Sequence, residues 1–225
     1  MLSSSHFEYQ ITQMRPEDVP PMVRLHRHIF PDYFLTHLGQ EFLELFYNHL
    51  IPRPGYSFVA RCNGQIIGFV TGTADPDQFY HGFYKHNFLS LARIVLVRMF
   101  LDPHVRSSIW GRLFHLRYAG RALLRSRPPQ NNGSAQPIAE AAPTPHGIAH
   151  LLSIGVADDF RGQGVAESLS DRFCREAKED GRRLVLLSVL AENARAIRFY
   201  TRTGWQLVEE GGSSLVFSRS LNEHK

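Results

Sequence analysis

The sequence is short of cysteine, of long apolar runs and of overall charge, and each shortage excludes a class of protein. Its 225 residues include only two cysteines, Cys62 and Cys174. They match no metal-ligand spacing, so neither a disulfide framework nor a metal site is expected. No apolar run approaches the ~20 residues that a membrane-spanning helix needs. The amino-terminal residues lack the basic and apolar segments of a secretory signal, so we expect a cytoplasmic protein.

The nearly balanced charge conceals one strongly basic segment. The chain has 25 Lys and Arg against 21 Asp and Glu, a net charge of +4. Residues 82–127 hold nine of these bases and one acid, a net +8, which leaves the rest of the chain at −4. A local positive field favours an anionic partner such as a phosphate ester, an acidic lipid or nucleic acid. A solvated cationic face without a partner is the alternative.

The hydrophobic pattern predicts a mixed α/β fold. Strand patterns occur at 7–13, 56–62, 65–73, 148–157, 183–190, 205–210 and 213–220, and helical patterns at 15–30, 37–51, 163–179 and 193–203. Asn63-Gly64 separates the second and third strands and predicts a hairpin, because both turn positions need positive φ. We therefore expect a mixed, mostly antiparallel central sheet flanked by helices, in a single domain spanning 1–225.

A helical insertion is predicted between the third and fourth strands, over residues 80–127. Residues 88–101 are apolar on nearly every side, and residues 107–125 are amphipathic, with Arg117, Arg121 and Arg125 on the polar face. Residues 128–147 are polar and rich in proline, which predicts a flexible loop.

A glycine loop joins the fourth strand to the following helix. It reads Arg161-Gly162-Gln163-Gly164-Val165-Ala166. Glycines allow close approach of a ligand, and the first turn of a helix offers free N–H groups and a favourable dipole, which together suit a pyrophosphate. Arg161 adds a formal positive charge. No Lys-Ser or Lys-Thr follows, which excludes a P-loop, and Glu167 replaces the third small residue of the dinucleotide fingerprint.

Two motifs in this part of the chain resemble those of the GNAT superfamily of N-acetyltransferases. Arg161-x-x-Gly164-x-Ala166 is similar to the acetyl-CoA signature [QR]-x-x-G-x-[GA]. Downstream, Asn193-x-x-Ala196-x-x-Phe199-Tyr200-x-x-x-Gly204-Trp205 is similar to the second motif of that family. The order of the strands also resembles the GNAT order. The resemblance covers residues 7–75 and 148–220 and leaves out the insertion.

The resemblance implies a binding site for acetyl-CoA, which would serve as the acetyl donor. The pyrophosphate would be held by the glycine loop, at Arg161, Gly162, Gln163, Gly164, Val165 and Ala166. The backbone of Ile154 and Val156 would pair with the pantetheine arm, where the two central strands separate. Asn193 would form a hydrogen bond with the same arm.

The resemblance also implies that Tyr200 is the general acid that protonates the departing thiolate. For the general base we expect His150, on the fourth strand. Strand periodicity puts it on the same face as Ile154 and Val156, and an ordinary pKa of ~6.5 suits an amine's proton. Glu192 is a weaker candidate, more typical of an acid at a helix start.

The expected function is transfer of acetyl from acetyl-CoA to a primary amine of a small, phosphorylated or nucleotide-linked acceptor. Two alternatives stay open: acetylation of a protein amino terminus or lysine, and a non-catalytic acyl-CoA-binding module. The basic insertion would contact an anionic acceptor or an anionic membrane, with nucleic acid the less favoured partner. A homodimer is expected from the exposed edge strands of such folds.

Overall fold

The computed structural model describes residues 7–51, 56–101 and 147–222. Seven strands form the sheet: β1 (Gln10–Gln13), β2 (Ser57–Cys62), β3 (Gln65–Thr73), β4 (Ile148–Val156), β5 (Leu184–Leu190), β6 (Gln206–Gly211) and β7 (Ser214–Ser220). The helices are α1 (Val19–Ile29), α2 (Phe34–His37), α3 (Gln40–Leu50), α4 (Pro76–Leu101), α5 (Val165–Glu179) and α6 (Ala194–Arg202).

All the strands form one sheet in the order β1-β2-β3-β4-β5-β7-β6. Every neighbouring pair is antiparallel except β4 and β5, which are parallel. The mixed, mostly antiparallel fold is therefore confirmed, and so is the position of the insertion between β3 and β4. The β2–β3 hairpin turns at Asn63 and Gly64, with φ of 48° and 78° as that turn requires.

Two hydrophobic cores cover the two faces of the sheet. On one face α5 buries Val165, Leu169 and Phe173, which the sequence places at helical spacing. On the other face α1, α3 and the first part of α4 pack together, and their shared core contains Met22, Leu43, Phe46, Phe79 and Phe83. Successive side chains along a strand point to opposite faces of the sheet, so the core to which a buried side chain belongs shows which face it occupies.

Helix boundaries differ from the sequence predictions at two places. The helix expected over 37–51 begins only at Gln40, because Gly39 has a φ of 94°, outside helical geometry, and separates it from the short helix α2. The insertion begins with α4 at Pro76, earlier than the predicted residue 80. The predicted helix over 107–125 and almost all of the predicted loop at 128–147 lie outside the described residues. No helix in the described ranges is long and apolar enough to cross a membrane.

A β-bulge interrupts the pairing of β3 with β4. Thr71 lies opposite Ser153 and Gly72 lies opposite Leu151, so Leu152 is the extra residue. Leu151 packs in the α5 core, whereas Leu152 packs in the core of α1, α3 and α4. The bulge therefore reverses the alternation of side chains along β4.

Close packing of the sheet against α5 is expected to make Gly72 sensitive to substitution. A Cβ at this position would overlap with the carbonyl oxygen of His150 and with the ring of Phe173. Overpacking of this kind costs about 1–3 kcal/mol, so Gly72→Ala should lower the free energy of unfolding in urea by that amount. Gly211→Ala is the matched control, since its Cβ would lie 3.8 Å from the nearest atom. Equal stability of the two variants would contradict the expected steric conflict.

Candidate active site

The central feature of the site is a gap between the two parallel strands. Pairing of β4 with β5 ends at Leu151 and Leu187, although β4 continues to Val156 and β5 to Leu190. The separated ends open into a groove with a cavity of about 360 Å³. A gap between strands presents unpaired backbone donors and acceptors, which suit a ligand containing amide groups.

The backbone groups of Ile154 and Val156 point into this gap. The N–H of Ala157 donates to the carbonyl of Ile67 on β3, 2.8 Å away. Backbone groups of successive residues point to opposite neighbours, so those of Val156 and Ile154 are directed away from β3. The carbonyl of Val156 accepts from Nε of Arg161 at 3.2 Å, in agreement with this direction. The two residues named for the pantetheine arm are thus in position to meet a ligand.

The glycine loop lies at the mouth of the groove, where α5 begins. Gly162 and Gly164 have φ of 73° and 81°, a left-handed conformation that only glycine adopts readily. A Cβ on either glycine would meet nothing within 4 Å, so the loop borders open space. This open space adjoins the free N–H groups of a 15-residue helix. The loop can therefore hold an anion.

The other residues of the loop have distinct surroundings. Arg161 forms an ion pair with Asp158, which holds its guanidinium beside the loop. Gln163 donates from Nε2 to the carbonyl of Asp159 at 2.9 Å, and Val165 is buried in the α5 core. For Val165 only the backbone N–H can serve a ligand. Ala166 lines the groove directly.

Asn193 lines the groove but also caps α6. Its amide oxygen accepts from the N–H of Ala196 at 3.1 Å, as expected of an N-cap residue. Its amide nitrogen is therefore the part of the side chain that a ligand can meet. Glu192, the weaker base candidate, is exposed and is not among the groove residues.

Tyr200 lies in the wall of the groove on α6, with 5% of its surface exposed. The rings of Trp205 and Phe217 pack around it, at centroid distances of 5.6 and 5.7 Å. Burial, and to a lesser degree the neighbouring phenol of Tyr33, raises the pKa of Tyr200 above its ordinary value of 10. The phenol is therefore protonated at neutral pH, as a proton donor must be.

His150 does not share a face with Ile154 and Val156, and that inference from strand periodicity is wrong. The bulge at Leu152 reverses the alternation, so His150 lies opposite Thr73, toward the start of α4. It is not among the residues that line the groove. Burial lowers the pKa of its imidazole, and nearby Asp75 and Asp77 oppose this shift. The geometry does not support direct proton transfer from a ligand in the groove to His150.

Replacement of His150 is accordingly expected to have a small kinetic effect. His150→Gln should leave kcat within about threefold of the wild type, because general-base catalysis is normally worth 10²–10⁴-fold and this imidazole lies outside the groove. The pH dependence of kcat/KM for the acceptor should also keep its shape. A loss of 100-fold or more, with a missing acidic limb, would instead establish His150 as the base.

Several groove residues had not been singled out from the sequence. Ile29, Phe30 and Tyr33, at and just after the end of α1, line the groove. They reach it because α1 packs on β3 and β4, a long-range contact that leaves no local pattern in the sequence. Arg195, Arg198 and Arg202 line the groove from α6. Their spacing of three and four residues places them on one face of the helix, and this pattern could have been recognised in the sequence.

The described residues hold no group of three or more His, Cys, Asp or Glu that could bind a metal ion.

A family model and a curated relative each match part of the chain. The model is that of the acetyltransferase (GNAT) family, and it matches residues 117–205. The relative is an uncharacterized N-acetyltransferase of Methanocaldococcus jannaschii, 42% identical over 59 residues. That match covers 26% of this chain and 26% of the relative, about a quarter of its length.

Solved structures share the fold over nearly the whole chain. The PaiA N-acetyltransferase of Thermoplasma acidophilum, crystallised with coenzyme A, matches with a TM-score of 0.55 and 11% identity, over 95% of this chain and 99% of that one. The ribosomal-protein-S18-alanine N-acetyltransferase of Escherichia coli matches with a TM-score of 0.54 and 13% identity, over 97% of each chain. At these identities the likeness concerns the fold.

The fold and groove define an α/β protein whose central parallel strands separate beside an anion-binding helix start. Over residues 117–205 the chain is similar to the acetyltransferase (GNAT) family, as the family-model match and the resemblance of both motifs indicate.

Proposed function

We propose that this protein transfers an acetyl group from acetyl-CoA to a primary amine. The observation that carries the proposal is the convergence on one groove of three features: the strand gap at Ile154 and Val156, the glycine loop at the start of α5, and the buried phenol of Tyr200. These features suit, in turn, the amides, the pyrophosphate and the leaving sulfur of one extended donor. The match of residues 117–205 to the acetyltransferase (GNAT) family model supports the same assignment.

The proposed reaction is a direct transfer within the groove. The neutral amine nitrogen attacks the thioester carbon, the C–S bond breaks, and the nitrogen loses one proton to water. Tyr200 donates its hydroxyl proton to the departing sulfur, and solvent returns a proton to the phenolate. The proton transfer from a phenol to a thiolate is uphill, because ordinary pKa values are ~10 and ~8.5, but it is driven by the formation of the amide.

For the acceptor we propose a small amine that carries a phosphate or a nucleotide. The charge of the basic insertion supports this choice, because residues 82–127 carry a net charge of +8 and would attract an anionic acceptor. Residues 102–127, with six of the nine basic side chains, lie outside the described residues.

Two other functions use the same groove. A protein amino terminus or lysine would also present a primary amine, and one neighbour in fold is named for a ribosomal-protein alanine. A module that binds acyl-CoA without turnover would need the strand gap and the glycine loop but not a protonated phenol. The buried, protonated Tyr200 favours an enzyme over such a module.

The proposal is tested by calorimetric titration with acetyl-CoA, followed by thiol-release assays on a panel of amines. We expect saturable binding with one site per chain, and thiol release that depends on an amine, first among phosphorylated amines and nucleotide-linked amino sugars. Turnover only with peptides would favour a protein acceptor. Binding without turnover on any amine would favour the sensing module, and no binding would refute the donor assignment.

The alternative partner of the insertion is an anionic membrane. Charge-reversal substitutions distinguish membrane attachment from binding of a phosphorylated acceptor. Changing Arg117, Arg121 and Arg125 to Glu should raise KM for a phosphorylated acceptor while leaving KM for acetyl-CoA near its original value. An unchanged acceptor KM, with loss of binding to vesicles of anionic lipid, would assign the insertion to membrane attachment instead.

A further inference from the structure

Three arginines form a stripe along the groove-facing side of α6. Arg195, Arg198 and Arg202 follow one another at intervals of three and four residues, so they share a helix face over about 10 Å. All three line the same groove as the glycine loop. Arg202 also fixes the orientation of the stripe, because its Nη2 contacts Oε1 of Glu167 on the first turn of α5 at 2.7 Å.

The described part of the chain does not balance the charges of the groove wall. The formally charged side chains of this wall are four arginines and one glutamate: Arg161, Arg195, Arg198, Arg202 and Glu167. Arg161 is paired with Asp158, and Arg202 with Glu167. Within the described part of the chain, no carboxylate pairs with Arg195 or Arg198, and both side chains are exposed at the groove. Two positive charges therefore remain for an anionic group of the ligand.

The pyrophosphate does not account for these two charges. The free N–H groups at the start of α5 already adjoin the open space beside Gly162 and Gly164, and Arg161 precedes these glycines in the loop. We expect a second anion beside Arg198 and Arg195, which lie about one and two helical turns before Arg202 on α6. Acetyl-CoA carries such a group, since its ribose bears a 3′-phosphate that is separate from the pyrophosphate.

We infer that Arg195 and Arg198 bind the 3′-phosphate of the donor and make the enzyme discriminate acetyl-CoA from 3′-dephospho-acetyl-CoA. The inference rests on the proposed function, because it specifies how the same groove chooses its donor. Guanidinium groups suit this task, since they offer several N–H donors to phosphate oxygens in a planar arrangement. Specificity arises because the two arginines stay without a partner when the phosphate is missing.

The test compares the dissociation constants of acetyl-CoA and 3′-dephospho-acetyl-CoA by calorimetry. The wild type should bind acetyl-CoA at least about tenfold more tightly, which corresponds to about 1.4 kcal/mol. In the Arg195→Ala/Arg198→Ala double variant, affinity for acetyl-CoA should fall by at least tenfold and affinity for the dephospho donor by less than about threefold. The preference should also weaken as salt is added, because exposed charges are screened.

Arg175→Ala serves as the control, because Arg175 is exposed on α5 and does not line the groove. It should keep the full preference for acetyl-CoA. Equal affinity of the wild type for the two donors would overturn the inference while leaving acetyl-CoA binding itself intact, and so would a double variant that keeps the preference. Failure of the wild type to bind either donor would refute the proposed function instead.

Discussion

A Gly164→Glu variant is expected to lose affinity for acetyl-CoA by at least about 100-fold, or ~2.7 kcal/mol. Gly164 precedes α5 in the open space where the pyrophosphate is proposed to bind. A glutamate there would place a negative charge and the five heavy atoms of its side chain against a dianion. Loss of hydrogen bonds to a charged group costs about 1.5–3 kcal/mol, and like-charge repulsion adds to it. Calorimetric titration with acetyl-CoA measures the loss.

Backbone strain has to be separated from this electrostatic effect. Gly164 has a φ of 81°, so any other residue there destabilises the fold by ~1 kcal/mol or more. Gly181→Glu is a matched control, because Gly181 has a φ of 76°, follows the opposite end of α5 and also borders open space. Both variants should unfold at similarly lowered temperatures, while only Gly164→Glu loses acetyl-CoA. Equal binding losses in the two would show that Gly164 acts through stability alone.

Local signals in the sequence were sufficient for most of the secondary structure. The Asn63-Gly64 turn and the helical spacing of Val165, Leu169 and Phe173 each depend on a few neighbouring residues, and the structure agrees with both. The break between α2 and α3 was also encoded locally, by Gly39, but the helix was predicted to begin at residue 37, before that glycine. Glycine inside a helical pattern is a signal to which the prediction gave too little weight.

The position of His150 shows the limit of periodicity. Alternation along a strand predicts the face of each side chain only while every residue pairs in register. The extra residue Leu152 is an ordinary apolar residue, with neither glycine nor proline beside it, so the sequence did not mark the bulge. One unmarked residue thus moved the expected base to the opposite face of the sheet.

Groove residues that belong to a short sequence motif could be predicted. Groove residues that are distant in the sequence and come together only on folding could not. The loop 161–166 and Tyr200 were found through short motifs. Phe30 and Tyr33 come from the other end of the chain, and only the packing of α1 on the sheet brings them to the groove. Such long-range neighbours have no fixed sequence separation, which is why pattern arguments missed them.

Tyr200→Phe is expected to reduce kcat by about 10²–10³-fold, while the KM for acetyl-CoA changes by less than about threefold. The substitution removes only the hydroxyl, so the ring packing with Trp205 and Phe217 is kept and the protein should fold normally. Without the phenol the sulfur has to leave as an unprotonated thiolate or take its proton from water. Steady-state rates of thiol release at saturating acceptor measure kcat.

The pH dependence of kcat distinguishes proton donation from a structural role of Tyr200. Burial raises the pKa of this phenol above 10, so its acidic form persists throughout the range below that pH. Wild-type kcat should therefore show no alkaline decline up to about pH 9.5, because a proton donor fails only as pH rises through its own pKa.

Tyr56→Phe is the control for Tyr200→Phe. The hydroxyl of Tyr56 donates to Asp180 at 2.6 Å, and Tyr56 does not line the groove. It should lower stability and leave kcat unchanged. A Tyr200→Phe enzyme with wild-type kcat would exclude Tyr200 as the acid and assign proton donation to water.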